Sequence, residues 1–362
     1  MAKRTAPTRH RVITDKTPAQ LGYVFPAEWE PHSGTWFSWP RPEGISFPGR
    51  YDTVPANFAA IFREITPREL VHVNVPNENY ETIVRATLAE HGVNLKRVRF
   101  HHIRTNENWC RDHGPAFVVR RRGGKREMAV VDWGFNAWGG KYPPYGDDDA
   151  VPTRIAEELG LPVFQPGIVM EGGAIDVNGK GTLLTTESCL LNPNRNPGLS
   201  RKQIEKHLCD FYGQQKVLWL GDGIDGDDTD GHVDDLARFI DPHTIAVAVE
   251  LDPKDPNYKV LKENVRRCEL LRDQDGKPFN LCVLPMPRRI VREGQRLPAT
   301  YLNFSFVNGA ILVPTFRDRK NDALALEILR LALPEIDVIG IDCWELIWGL
   351  GAIHCASQQQ PR

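Results

Sequence analysis

The chain lacks any run approaching the roughly 18 consecutive apolar residues that a membrane-spanning helix needs. Residues 1–16 are basic and polar with no apolar stretch, so the pattern of a secretory leader is missing too. Seven cysteines, at 110, 189, 209, 268, 282, 343 and 355, form no CxxC pair. That scatter excludes a zinc knuckle and argues against a disulfide framework, and a reducing cytoplasm is the expected compartment. Charge of one sign is also lacking, because 45 basic side chains stand against 47 acidic ones. Global attraction to nucleic acid or to an anionic membrane is thereby excluded, and function must reside in local sites.

What remains is an ordinary folding composition, 41% apolar and 25% charged, over 362 residues. At about 150 residues per domain this allows two domains or one repetitive one. Apolar residues recur at helical spacing over 55–65, 79–92, 153–160, 200–213, 257–272 and 321–333. Short apolar runs at 70–75, 217–220, 281–284 and 338–341 read as buried strands. Four hairpins are expected over 116–133, 174–186, 236–250 and 301–316, turning at Gly123-Gly124, Asn178-Gly179, Asp241-Pro242 and Asn308-Gly309. Their starts recur about every 60 residues, so hairpin, helix and strand form a repeat of roughly five units. Units that cannot bury their own apolar faces must pack on one another, around an axis rather than in an open row.

The polar residues without an obvious structural role sit just before the first three hairpins and at the end of the chain. They are Trp109-Cys110-Arg111-Asp112, Glu171-Gly172-Gly173, His232-Val233-Asp234-Asp235, and Gly349-Leu350-Gly351-Ala352-Ile353-His354-Cys355. Around an axis, equivalent edges converge. Cysteine is the one competent nucleophile in the set, a histidine can exchange protons with it or with water, and clustered carboxylates call for a cation. A planar guanidinium, with its fork of N–H donors, suits two or three carboxylates. The expected partner is a small cationic guanidine. Seven aspartates between 222 and 235 read as a negative loop at the mouth of such a cleft, with a solvated turn as the plainer alternative.

The chain resembles the agmatine deiminases of the guanidine-modifying superfamily. The motifs that carry the resemblance are Pro26-Ala27-Glu28-Trp29-Glu30-Pro31-His32, Trp109-x-Arg111-Asp112-x-Gly114-Pro115, Phe135-Asn136-Ala137-Trp138-Gly139-Gly140 and Glu171-Gly172-Gly173. Gly231-His232-Val233-Asp234-Asp235, Tyr301-x-Asn303-Phe304 and Ile353-His354-Cys355 complete them. The resemblance implies an α/β fold, a five-bladed α/β propeller of ββαβ units with pseudo-fivefold symmetry. A flexible segment 1–20 would precede one catalytic domain over 21–362, often homodimeric, with no metal and no cofactor. It further implies Cys355 as nucleophile, His232 as general acid and base, and Asp112 and Asp234 gripping the guanidinium. Glu171 would assist proton transfer or orient His232, and Trp109 and Gly351 would line the substrate's path.

The implied reaction converts agmatine to N-carbamoylputrescine and ammonia through an amidino-thioether on Cys355. Leu350, Ala352 and His113 depart from the family pattern of Gly, Asn and a small hydroxyl residue, which bears on the substrate more than on the reaction. Deimination of arginine or peptidyl-arginine, amidino transfer to an amine, and a propeller that binds without catalysis are the alternatives. His354 is expected to lie on a strand that points it away from the nucleophile.

Overall fold

In the computed structural model, which describes residues 11–362, all four expected hairpins form. Each continues through a helix to a third strand parallel to the second. Ala116–Arg122 and Lys125–Val131 lead through helix Val151–Leu159 to Val163–Phe164. Ile175–Val177 and Thr182–Thr186 lead through Arg201–Tyr212 to Lys216–Leu220. Ala237–Asp241 and Thr244–Val249 lead through Asn257–Leu270 to Asn280–Pro285. Ser305–Val307 and Ala310–Thr315 lead through Arg319–Ala332 to Asp337–Asp342. In the second of these helices Ser200 and Gln203 close a capping box, and Gly213 ends it at a φ of 66°.

The fifth sheet joins distant parts of the chain. Ser357–Pro361 runs antiparallel to His32–Ser38, with Gln358 opposite Trp36, and helix Val54–Ile65 leads on to the parallel strand Leu70–Asn74. Helix Glu78–Glu90 then adds Val98–His101. Trp36 Nε1 donates to Gln360 Oε1 at 2.8 Å and ties the pair from the side. The segment 1–20, expected to be flexible, begins with residues outside the described part. Its Val12–Ile13 pairs in parallel with Val163–Phe164.

Of the five sheets with three or more strands among the described residues, four are entered through a short helical turn: Cys110–His113, Gly172–Ala174, Val233–Asp235 and Ile353–Ala356. These turns pack against one another, so the polar edges named above do converge. Beneath them lies a buried charge network. The fully buried Arg238 guanidinium donates to Glu28 Oε2, to Asp176 Oδ2 at 3.1 Å and to the Phe304 carbonyl at 2.8 Å, and it lies 4.7 Å over the Phe304 ring. A buried cation persists only when paired and hydrogen-bonded in this way. Among the described residues no helix is long and apolar enough to cross a membrane, and all seven cysteines are free.

Candidate active site

The turn Ile353–Ala356 presents Cys355, whose amide donates to Asn303 Oδ1 at 3.2 Å while Asn303 Nδ2 lies 3.0 Å from its sulfur. Asp234 Oδ2 is 3.8 Å from that sulfur. Burial and the nearby carboxylates of Asp234, Asp235 and Asp112 push the thiol well above its ordinary pKa. Both effects favour the neutral thiol.

Asp112 sits in the turn Cys110–His113. Its Oδ1 accepts from the Gly173 amide at 3.0 Å and its Oδ2 from Trp138 Nε1 at 2.9 Å. Burial raises its pKa to about 6 against the pull of His232. The fully buried His232 precedes Val233–Asp235, with its amide donating to Thr229 Oγ1 at 3.1 Å. Its Nδ1 lies 3.6 Å from Asp112 and its Nε2 3.9 Å from Glu171, both at ion-pair rather than hydrogen-bond distance. Burial disfavours the imidazolium, yet the Asp112 charge and the neighbouring Cys189 and Glu171 raise its pKa well above the usual value.

Glu171 is held by Arg195, whose Nε donates to Oε1 at 2.6 Å. Burial would raise the Glu171 pKa, but His232 and Arg195 bring it below the usual range. Gly173 explains why these groups can meet. A Cβ there would lie 2.6 Å from His232 Nδ1, 2.8 Å from Asp112 Oδ1 and 3.1 Å from Asp234 Oδ2, so the motif tolerates no side chain.

Cys355 and Asp112 open onto a pocket of about 220 Å³ that Trp109, Trp138, Asp228 and Gly351 help to line, and no Lys, Arg or His is among its lining residues. Trp109 Nε1 donates to Ser46 Oγ at 2.9 Å, which fixes the indole. A Cβ on Gly351 would lie 2.6 Å from the Trp109 ring and 2.9 Å from Cys355 Cβ, so glycine lets the indole approach the turn that carries Cys355. His232, Glu171 and Asp234 stand behind this wall. The seven residues singled out from the sequence are therefore brought into one region, five around the reacting groups and Trp109 and Gly351 along the pocket.

His354 departs from expectation. Residues 353–356 form a helical turn rather than a strand, and the histidine faces inward with Nδ1 2.6 Å from Asp234 Oδ2 and Nε2 3.0 Å from Glu28 Oε2. It draws the Asp234 pKa below the carboxylate norm against the effect of burial. The aspartate-rich loop is less solvated than its composition suggests. Asp230 pairs with Arg195 at 2.6 Å and with Lys141 at 2.8 Å, Asp227 caps Thr229 and Gly231, and Asp228 accepts from the Tyr142 hydroxyl. Glu28, Trp138 and Asn303 lie within the motifs given above and could have been assigned from them. Asp228 belongs to the aspartate run read above as a negative loop at the cleft mouth, whereas Arg195 carries no signal in the sequence.

Leu350 occupies the left-handed region at a φ of 70°, a conformation that glycine adopts without penalty and a leucine does not. His113 is buried, with Nε2 3.0 Å from Ser38 Oγ, and burial lowers its pKa to about 3.

Fold and site together define a guanidine-modifying enzyme of the deiminase class. The Porphyromonas-type peptidyl-arginine deiminase family model matches residues 24–361, and the chain belongs to that family. It is 40% identical to the agmatine deiminase of Ectopseudomonas mendocina, over 95% of this chain and 97% of that one. Identity to the agmatine deiminase of Pseudomonas syringae pv. tomato is 38%, over 96% and 98% of the two chains. Among solved structures, the agmatine deiminase of Enterococcus faecalis superposes with a TM-score of 0.89 at 34% identity, covering 97% of this chain and 99% of that one. A C. jejuni agmatine deiminase with one cysteine replaced by serine and substrate bound gives 0.83 at 31% identity, over 94% and 96%. An amidinotransferase from Microseira wollei, at 12% identity and a TM-score of 0.52, shares the fold.

Proposed function

We propose that the protein hydrolyses agmatine to N-carbamoylputrescine and ammonia through a covalent intermediate on Cys355. One observation carries the choice of substrate: a single pocket is lined by the thiol, by Asp112 and by Asp228, and by no basic side chain. Agmatine bears a cation at each end. Asp112 and Asp234 suit the guanidinium, while no ion pair among the described residues engages the Asp228 carboxylate, which is available to the distal ammonium. Arginine would bring a carboxylate into a pocket lined by Asp112 and Asp228 and by no basic side chain, which disfavours free arginine.

In this reading the resting thiol is neutral among carboxylates, and the arriving guanidinium offsets their charge and favours the thiolate. The thiolate adds to the guanidinium carbon. The protonated His232 gives its proton to one nitrogen, the C–N bond breaks and ammonia leaves. An amidinium thioether remains. Neutral His232 takes a proton from water as its oxygen adds to the same carbon; the C–S bond then breaks, and the O-protonated ureido product gives its extra proton to the released thiolate, which restores the neutral thiol beside protonated His232. Asp112 and Asp234 hold the planar carbon against the sulfur, and Glu171 orients the imidazole.

The five sheets of three or more strands and their converging entry turns support a closed five-bladed propeller over 21–362, to whose first sheet Val12–Ile13 of the preceding segment adds an edge strand. The functional test is direct. Parent protein should release ammonia from agmatine and form the ureido product, and acid quench with mass spectrometry should trap an amidino adduct on Cys355. Ammonia release by Cys355→Ala equal to the parent's would refute the assignment of the nucleophile.

A further inference from the structure

Behind His232 lies a third neighbour that the proposed reaction does not use. Cys189 stands on the turn Glu187–Leu190, capped by the Thr186 hydroxyl, and its side chain is buried with those of Glu171 and His232. One ligand atom from each of these three residues lies within 4.8 Å of the other two. Oε2 of Glu171 and both ring nitrogens of His232 are buried without a hydrogen-bond partner among the described residues. Buried polar atoms rarely stay unpartnered, and two such groups meet here beside a thiol.

We propose that Glu171, Cys189 and His232 form a binding site for a thiophilic divalent cation, zinc foremost, that switches the enzyme off by occupying the imidazole. Oxygen, sulfur and nitrogen are zinc's ordinary ligands, at about 2.0–2.3 Å, which sets ligand atoms roughly 3.3–3.8 Å apart. Glu171 Oε2 and His232 Nε2 are already 3.9 Å apart. The ligands are also preorganised, because Arg195 fixes the other Glu171 oxygen and Thr229 holds the His232 backbone. A fourth position is left for water.

A second trio, Asp234, Asp235 and Cys355, is as compact, but apart from the unpartnered Asp234 Oδ1 its atoms are more engaged. Asn303 Nδ2 lies 3.1 Å from Asp235 Oδ1 and 3.0 Å from the Cys355 sulfur, and His354 occupies Asp234 Oδ2. The free atoms favour the Cys189 site. Only the inhibition rests on the proposed role of His232; binding does not.

Cobalt(II) added to Cys355→Ala protein, which lacks the competing thiol and needs no turnover, tests the binding. A sulfur-to-cobalt charge-transfer band with one-site saturation is expected, lost when Cys189→Ala is added and weakened at least about tenfold by Glu171→Gln. In otherwise unaltered protein, Cys189→Ala should keep agmatine turnover while raising the inhibitory zinc concentration at least about tenfold. An unchanged cobalt spectrum in the Cys189→Ala, Cys355→Ala double variant, or equal zinc sensitivity in Cys189→Ala and parent, would overturn the site. If Cys189→Ala does not fold, cobalt affinity in Glu171→Gln decides instead, and an unweakened band there would overturn the site. Absence of turnover with a normal cobalt spectrum would refute the proposed function and leave the metal site standing.

Discussion

His354 Nδ1 lies 2.6 Å from Asp234 Oδ2, and the opposite edge of the same ring meets Glu28. One imidazole thus couples the carboxylate beside the nucleophile to the charge network under the site. Replacing it with alanine leaves Asp234 buried without that partner. His354→Ala should lower kcat/KM for agmatine about ten- to a hundredfold, matching the roughly 1.5–3 kcal/mol of a hydrogen bond to a charged group. Steady-state kinetics check this, and His354→Asn, which can still donate to Asp234, should recover part of the loss.

Asp112 supplies the acid limb of the pH profile. Burial raises its pKa to about 6, and the guanidinium needs it ionised. Protonation as pH falls through that value removes the charge that binds substrate. The free-enzyme profile, kcat/KM against pH, should therefore fall on the acid side with an apparent pKa near 6. A flat profile down to the ordinary carboxylate range would contradict the role of Asp112.

Asp228 separates agmatine from guanidines that end in an apolar chain. Asp228→Asn should raise KM for agmatine about tenfold or more while leaving KM for butylguanidine unchanged, because the alkyl guanidine has no ammonium to lose. Equal losses on both substrates would show that the residue acts on the guanidinium end.

Arg238 tests the foundation of the site. Arg238→Met removes the partner of Glu28 and Asp176 and leaves two buried carboxylates facing each other. Breaking a buried pair costs roughly 3–5 kcal/mol, so chemical denaturation should show a large drop in stability. A variant as stable as the parent would show that the network is not needed for folding.

Much of the fold was legible because its signals are local. Periodicity gave the helices to within about two residues, and Asn178-Gly179 and Asn308-Gly309 marked hairpins that form. The fifth hairpin was not legible, because its strands lie at 32–38 and 357–361 with no turn between them. His354 was misplaced for a related reason: four residues near a strand carry no periodic signal, and the turn at 353–356 forms under tertiary packing. Arg195 and Asp228 show the remaining limit. Their partners lie far away in sequence or in the bound substrate, and spacing along the chain reports neither.

The pairing of Ser357–Pro361 with His32–Ser38 also bears on when activity can arise. Contacts between segments so far apart carry the largest loop-closure penalty and form slowly. Cys355 stands two residues before one of those strands. A nascent or partly unfolded chain therefore cannot align the thiol with its carboxylates, so reactivity toward guanidines becomes a report on completed folding.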